Sequence, residues 1–331
     1  MKVLFVCSGN SKVFEISPFY QVQVDSISEL GHQVDVFRIK GKGVLGYLRH
    51  IIPLRRFIKR NEYDIVHAHY SMSAFVATFA TLRLKRDIEH TEKQVGKKPS
   101  FYNQHLVVSL VGSDVCGSSL WRSITRLFAR LFWPYLIVVS PEMKDKLGLS
   151  WIEVIPQGVD IGSFREIDKK ECREALGYKQ EDYYILFVAN PKRKEKNYPL
   201  ARDAFNLIKT DNTHLIICDK VPSEQIPLYM NACDVLILSS HREGSPNVVK
   251  EAMTCNCPIV STDVGDVRWL LGEIEGHYIA ESNPEDFADK LKQALEFGRK
   301  TKGRERLIEL GIGSESIARR IITIYEGILR D

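Results

Sequence analysis

Short runs of branched aliphatic residues recur along the whole chain, separated by stretches in which apolar residues return at helical spacing. The runs at 3–6, 33–37, 63–69, 106–111, 136–140, 184–188, 215–218, 234–239 and 258–261 have the continuous apolar character of strands buried on both faces. Helices are predicted between them, over 18–30 with Gly31 as the stop, 120–135, the 222–230 region and 314–329, with a charged helical lead-in at 165–182. Strands alternating with helices in both halves predict an α/β chain of two doubly wound domains.

One unit is sharper than the rest. The apolar run 234–239 is followed by a polar loop with Gly244, then by a helix for which Ser245 suits the N-cap and Pro246 the first position. Val248, Val249, Ala252 and Met253 recur at helical spacing before Pro258 stops the element. In an open α/β sheet, ligands bind where strand carboxyl ends and helix N-termini meet. The N–H groups at Ser245, Asn247 and Val248, with the helix dipole, make an anion site there. Glu243 and Glu251 frame it, which a bare anion would not require and a phosphorylated sugar would, since carboxylates accept hydrogen bonds from hydroxyls.

Charge and composition narrow the classes. A chain of 331 residues exceeds one ordinary core, and 44% hydrophobic with 27% charged residues describes a globular protein. No apolar stretch has membrane-spanning length, and the opening residues lack a signal-peptide pattern, so the expected location is the cytoplasm, including the inner face of the membrane. Seven cysteines in mostly apolar contexts read as reduced thiols, and Cys255 with Cys257 has no second pair at zinc-like spacing. The net charge of +4 comes from a basic first half, far short of what a nucleic-acid binder shows. Only Gly9 stands in the first turn, beside Asn10, so the three-glycine dinucleotide fingerprint is absent, which counts against an NAD enzyme.

Two segments are basic and amphipathic. Residues 41–62 alternate aliphatics with arginines and lysines and are interrupted by Pro53; residues 120–135 set Arg122, Arg126 and Arg130 on one stripe. The first reads either as a membrane-surface face or as a helix packed on the sheet with a solvated basic side; for the second, an amphipathic helix is preferred over a nucleic-acid surface. His67 and His69 fall on one face of a strand without an evident carboxylate partner. The 189–197 loop carries four cations at a strand's carboxyl end, suited to anions.

Glu243 and Glu251 within EGSPNVVKE, followed by Ala252, Met253 and Pro258, resemble the E-x7-E signature of retaining glycosyltransferases of family 4. That resemblance implies two Rossmann-like domains facing each other across a cleft, the GT-B architecture. It implies Glu243 on the donor sugar, Glu251 on the nucleotide ribose, Gly244, Ser245, Pro246, Asn247 and Val248 around the donor, and Arg193 and Lys196 on the diphosphate. It also implies Gly9, Asn10, His69, Gly112 and Asp114 on the acceptor side or lining the cleft, with a structural turn as the other reading of Gly112 and Asp114. The chain departs from the pattern at Val111, where family members often carry His, and at Asn190 and Asn197. Boundaries are expected near 164 and 313, with 314–331 returning to the first domain. The expected activity is metal-independent transfer of a sugar, most commonly UDP-linked in this family, to a glycan or lipid-linked acceptor in cell-surface polysaccharide synthesis. No resident cofactor or nucleic acid is expected, and peripheral membrane contact is. A GT-B sugar-nucleotide epimerase and a nucleotide-sugar-binding module without turnover remain as alternatives.

Overall fold

The structure is a computed structural model that describes residues 1–10, 14–82 and 105–330. The polar, charged stretch 82–104, whose sequence with Gly96 and Pro99 reads as a helix end plus an exposed loop, therefore lies almost wholly outside the described residues. The chain forms two compact units, residues 1–156 with 317–331, and residues 157–316.

The first unit is a six-stranded parallel sheet in the order β2-β1-β3-β4-β5-β6. Its strands are β1 (Lys2–Ser8), β2 (Gln33–Ile39), β3 (Ile65–His69), β4 (Leu106–Leu110), β5 (Tyr135–Val138) and β6 (Glu153–Val154). Alternation along β1 divides the core: Leu4 and Val6 join one apolar cluster, Val3 and Phe5 the other, which includes Ile317, Ile321, Tyr325 and Ile328 of the last helix (Ser314–Arg330). Tyr325 Oη lies 2.5 Å from His67 Nδ1, and His67 Nε2 lies 2.7 Å from Ser109 Oγ, so His67 is a buried strut.

The basic segment at 41–62 is two helices, Gly43–Leu48 and Ile51–Asn61. The break falls at Arg49 and His50. Pro53, expected to interrupt the segment, sits in the first turn of the second helix, where its missing N–H has no intrahelical partner to lose. Leu54 is buried, Phe57 and Ile58 pack on the core, and Arg56, Lys59 and Arg60 face solvent, so this helix covers the sheet and solvates its basic side. The helix expected over 120–135 runs from Ser119 to Phe132, capped by Ser118, whose hydroxyl accepts from the Trp121 N–H. Tyr135 already belongs to β5.

The second unit is a five-stranded parallel sheet in the order β11-β10-β9-β7-β8. It comprises β7 (Tyr183–Phe187), β8 (Thr213–Ile217), β9 (Val235–Leu238), β10 (Ile259–Thr262) and β11 (His277–Ala280). Leu186 and Leu236 pack under one helical layer, Ile185 and Val235 under the other. Helix ends follow local chemistry: Asp168 and Asn283 cap Lys169–Leu176 and Pro284–Phe297 through their side chains, and Gly177 and Gly298 end them in the left-handed conformation. Strand order reverses direction of growth between β7 and β9, and the carboxyl ends there form the crevice where open α/β sheets bind ligands.

Candidate functional site

The loops after β7 and β9 meet at that reversal. Ser239, at the end of β9, donates its hydroxyl toward the carbonyls of Lys196 and Asn197, both at 3.0 Å, and the His241 N–H donates to the Glu195 carbonyl at 2.9 Å. These bonds draw Lys196 toward Glu243: Nζ lies 2.6 Å from Oε1, which also accepts from the Ser240 hydroxyl at 2.7 Å. Both side chains are largely shielded, with 14% and 17% of their surface exposed, so the pair is a fixed feature of the crevice.

The helix expected to start at Pro246 with Ser245 as cap begins instead at Asn247, with Pro246 at the N-cap in an extended conformation. A proline holds its predecessor out of the helical region, so Ser245 turns inward. Its hydroxyl is buried beside the carboxylate of Asp266, and neither group makes a hydrogen bond of good geometry. Gly265 makes this loop-on-loop packing feasible: it has a φ of +59°, and a Cβ there would stand 2.5 Å from the Gly244 carbonyl oxygen.

Glu251 projects from the middle of the same helix, enclosed by protein but keeping part of its surface open. Burial pushes its carboxyl up to about 7, partly offset by the ammonium of Lys250. Asp266 is raised to about 6 for the same reason. The fully buried Lys250 is lowered to about 8 by burial.

Arg193 stays apart from this cluster. Its guanidinium pairs with Glu195 at 2.7 Å and is more than half exposed, so of the loop cations Lys196 is the one brought against Glu243. In the first unit, Gly9 and Asn10 follow β1, His69 ends β3, and Gly112 and Asp114 follow β4. The Asn10 side chain both accepts from and donates to the Gly41 backbone. Asp114, with no exposed surface, accepts from the N–H groups of Ser71 and Val111, each at 2.8 Å. It is a brace between two loops, and Asp114→Ala should cost about 2 kcal/mol by stranding those donors, measurable by denaturant unfolding. His69 is buried, stacked 4.1 Å from His67, with Nε2 unpartnered. Among the described residues no group of three or more His, Cys, Asp or Glu is placed to hold a metal ion.

Sequence reasoning placed the loop of Val264, Gly265 and Asp266 toward the cleft but missed Ser239, Ser240, Gln157 and Lys250. The serine pair at a strand's carboxyl end was a readable signal; the others become visible only when loops distant in sequence pack together.

The sequence profile of Glycosyltransferase Family 4 matches residues 2–163, and that of Glycosyl transferases group 1 matches residues 201–296. The putative teichuronic acid biosynthesis glycosyltransferase TuaC of Bacillus subtilis is 25% identical over 80% of this chain and 72% of its own length. A D-inositol 3-phosphate glycosyltransferase of Frankia alni is 24% identical over 81% and 75%. Among solved structures, a sucrose-phosphate synthase from Thermosynechococcus elongatus superposes with a TM-score of 0.76 at 15% identity, covering 99% of both chains. Anabaena Alr3699/HepE in complex with UDP gives 0.71 at 16%, covering 99% of this chain and all of its own. Matched by those profiles and built as two parallel α/β sheets in Rossmann-like units, the chain belongs to glycosyltransferase family 4 and has the GT-B fold.

Proposed function

We propose that the protein is a retaining glycosyltransferase that moves a sugar from a UDP-linked donor to a glycan or lipid-linked acceptor in cell-surface polysaccharide synthesis. The observation that carries this reading is the 2.6 Å pairing of Lys196 with Glu243 at the point where the strand order of the second sheet reverses. In a nucleotide sugar the glycosidic carbon is bonded directly to a phosphate oxygen, so a cation for the diphosphate and a carboxylate for the sugar hydroxyls must stand side by side. Lys196 and the N-terminus of the Asn247–Thr254 helix then face the diphosphate, Glu243 the sugar and Glu251 the ribose. In the transfer, the bond between the glycosidic carbon and the phosphate oxygen breaks, the acceptor oxygen bonds to that carbon on the same face, and the acceptor proton passes to the departing phosphate. Lys196 and the helix N-terminus stabilise the charge that develops there, the work a metal ion does in other enzymes.

The UDP complex of HepE supports uridine as the base, and the teichuronic acid role printed for TuaC supports a surface-polymer acceptor. Leu120, Leu127 and Leu131, exposed along one face of the Ser119–Phe132 helix with Arg130 beside them, support peripheral membrane contact.

Titration calorimetry with UDP, GDP and ADP in the presence of EDTA tests the donor site. One nucleotide should bind, and Glu251→Ala should weaken it about tenfold or more through the lost ribose contact. No binding by any of the three would sink the assignment. Conversion of a UDP-sugar without acceptor would instead identify an epimerase.

A further inference from the structure

The Asn247–Thr254 helix carries a lysine where its buried face would otherwise be hydrocarbon. Lys250 has no exposed surface, and its neighbours Val249, Ala252 and Met253 are buried with it. Its Nζ donates to the main-chain oxygen of Gln157 at 2.7 Å. One turn earlier, Asn247 Nδ2 donates to Oε1 of the same glutamine at 3.1 Å. Two side chains on one helix face thus grip a single residue at the start of the second unit. The charged groups whose fields reach Lys250 are Asp266, just ahead of the Val267–Leu271 helix, and Glu251 on its own helix. Asp266 is 4% exposed, and neither of its carboxylate oxygens makes a hydrogen bond of good geometry.

A buried lysine without a contact ion pair is a costly arrangement, and Leu or Met would fill the same space without desolvating a charge. Its effect is therefore sought in the charge it supplies. Two carboxylates lie beside the crevice, and a diphosphate brings more negative charge to it. One buried ammonium offsets one of those carboxylates and lessens the repulsion that the incoming anion meets.

We propose that Lys250 is a positioning residue of the nucleotide site, its ammonium offsetting Asp266 and Glu251 while its bond to Gln157 fixes the helix that presents Glu251 and the N-terminal N–H groups. This rests on the donor-site reading given above. It has a consequence that packing alone would not produce. Because burial brings Lys250 down to about 8, its charge is lost just above neutrality, and nucleotide affinity falls as pH rises through that value. Removing the Asp266 carboxylate withdraws support from the ammonium, so the fall moves to lower pH.

The experiment is UDP titration of the full chain from mildly acidic to mildly alkaline pH. It compares wild type, Lys250→Met, Asp266→Asn and the double variant, with a thermal melt of each. Lys250→Met should bind UDP about tenfold more weakly at neutral pH and lose the alkaline fall. Asp266→Asn should keep the fall at lower pH. A Lys250→Met protein that binds UDP as wild type does, with the same pH profile, overturns the proposal; loss of binding in Glu251→Ala would then leave the donor-site reading standing. If Lys250→Met does not fold, Asp266→Asn decides, and an unmoved alkaline fall overturns the proposal. Absence of UDP binding by wild type overturns both.

Discussion

Replacing Lys196 with alanine should lower the rate of sugar transfer about a hundredfold or more, the loss of about 2.7–4 kcal/mol that follows removal of one preorganised charge facing a developing anion. Preorganisation is visible in the loop. The main chain at Lys196 and Asn197 is tied to the Ser239 hydroxyl, and the ammonium is held at Glu243 with little exposed surface. Such a group needs little reorganisation to meet a leaving phosphate, whereas a solvated lysine would have to be desolvated and ordered first. Arg193 provides the internal comparison. Its exposed pairing with Glu195 is of the kind that contributes about 0–1 kcal/mol, so Arg193→Ala should change the rate less than about fivefold. Initial rates at saturating donor, with nucleotide affinity measured separately, decide the matter. A Lys196→Ala enzyme with undiminished turnover would remove the lysine from the leaving-group role, and a large loss in Arg193→Ala would mean the loop rearranges when donor binds.

How much of this was legible in the sequence depends on whether the signal was local. The strands were readable because parallel strands covered on both faces are continuous aliphatic runs, and β7, β9 and β10 fall where those runs predict them. Glu243 and Glu251 were readable because seven residues of loop and helix set their spacing. The start of that helix was misread by one residue. Ser245 and Pro246 have good N-terminal chemistry, but the close approach of Gly244 and Gly265 takes the serine inward. Among four loop cations the resemblance singled out Arg193 and Lys196, with Lys196 ahead, but the contacts that separate them come from Ser239 and Glu243 at another strand end. Asn10 and Asp114 look like cleft residues by position, yet both spend their side chains on backbone groups of neighbouring loops. Lys250 was invisible for a related reason: one charged residue in an amphipathic helix is ordinarily assigned to solvent, and only the packed structure shows it enclosed.

The same enclosure gives the second large effect, in which Glu251→Gln should make the protein more stable and a poorer binder of nucleotide. Burial holds the Glu251 carboxyl up at about 7, above its ordinary 4.5, so the folded chain favours the protonated form more than the unfolded chain does. For a group raised in this way the favourable contribution is fully present below the unfolded value and is lost as pH rises through the folded one. Above about pH 7 the wild type therefore carries a buried carboxylate that the amide does not. The variant should gain roughly 1–3 kcal/mol there, less than the full shift implies because the carboxylate keeps part of its surface open to solvent. Towards pH 4 the two proteins should converge, since both then hold a neutral side chain. Nucleotide affinity should move the other way, because an amide oxygen accepts a ribose hydroxyl more weakly than a carboxylate does. Thermal or denaturant melts at the two pH extremes, with UDP titrations alongside, read both quantities. A carboxylate kept for folding would lose stability on neutralisation at neutral pH; one kept for a ligand gains it, and a Glu251→Gln protein less stable than wild type throughout would assign Glu251 to the scaffold and leave the ribose without its acceptor.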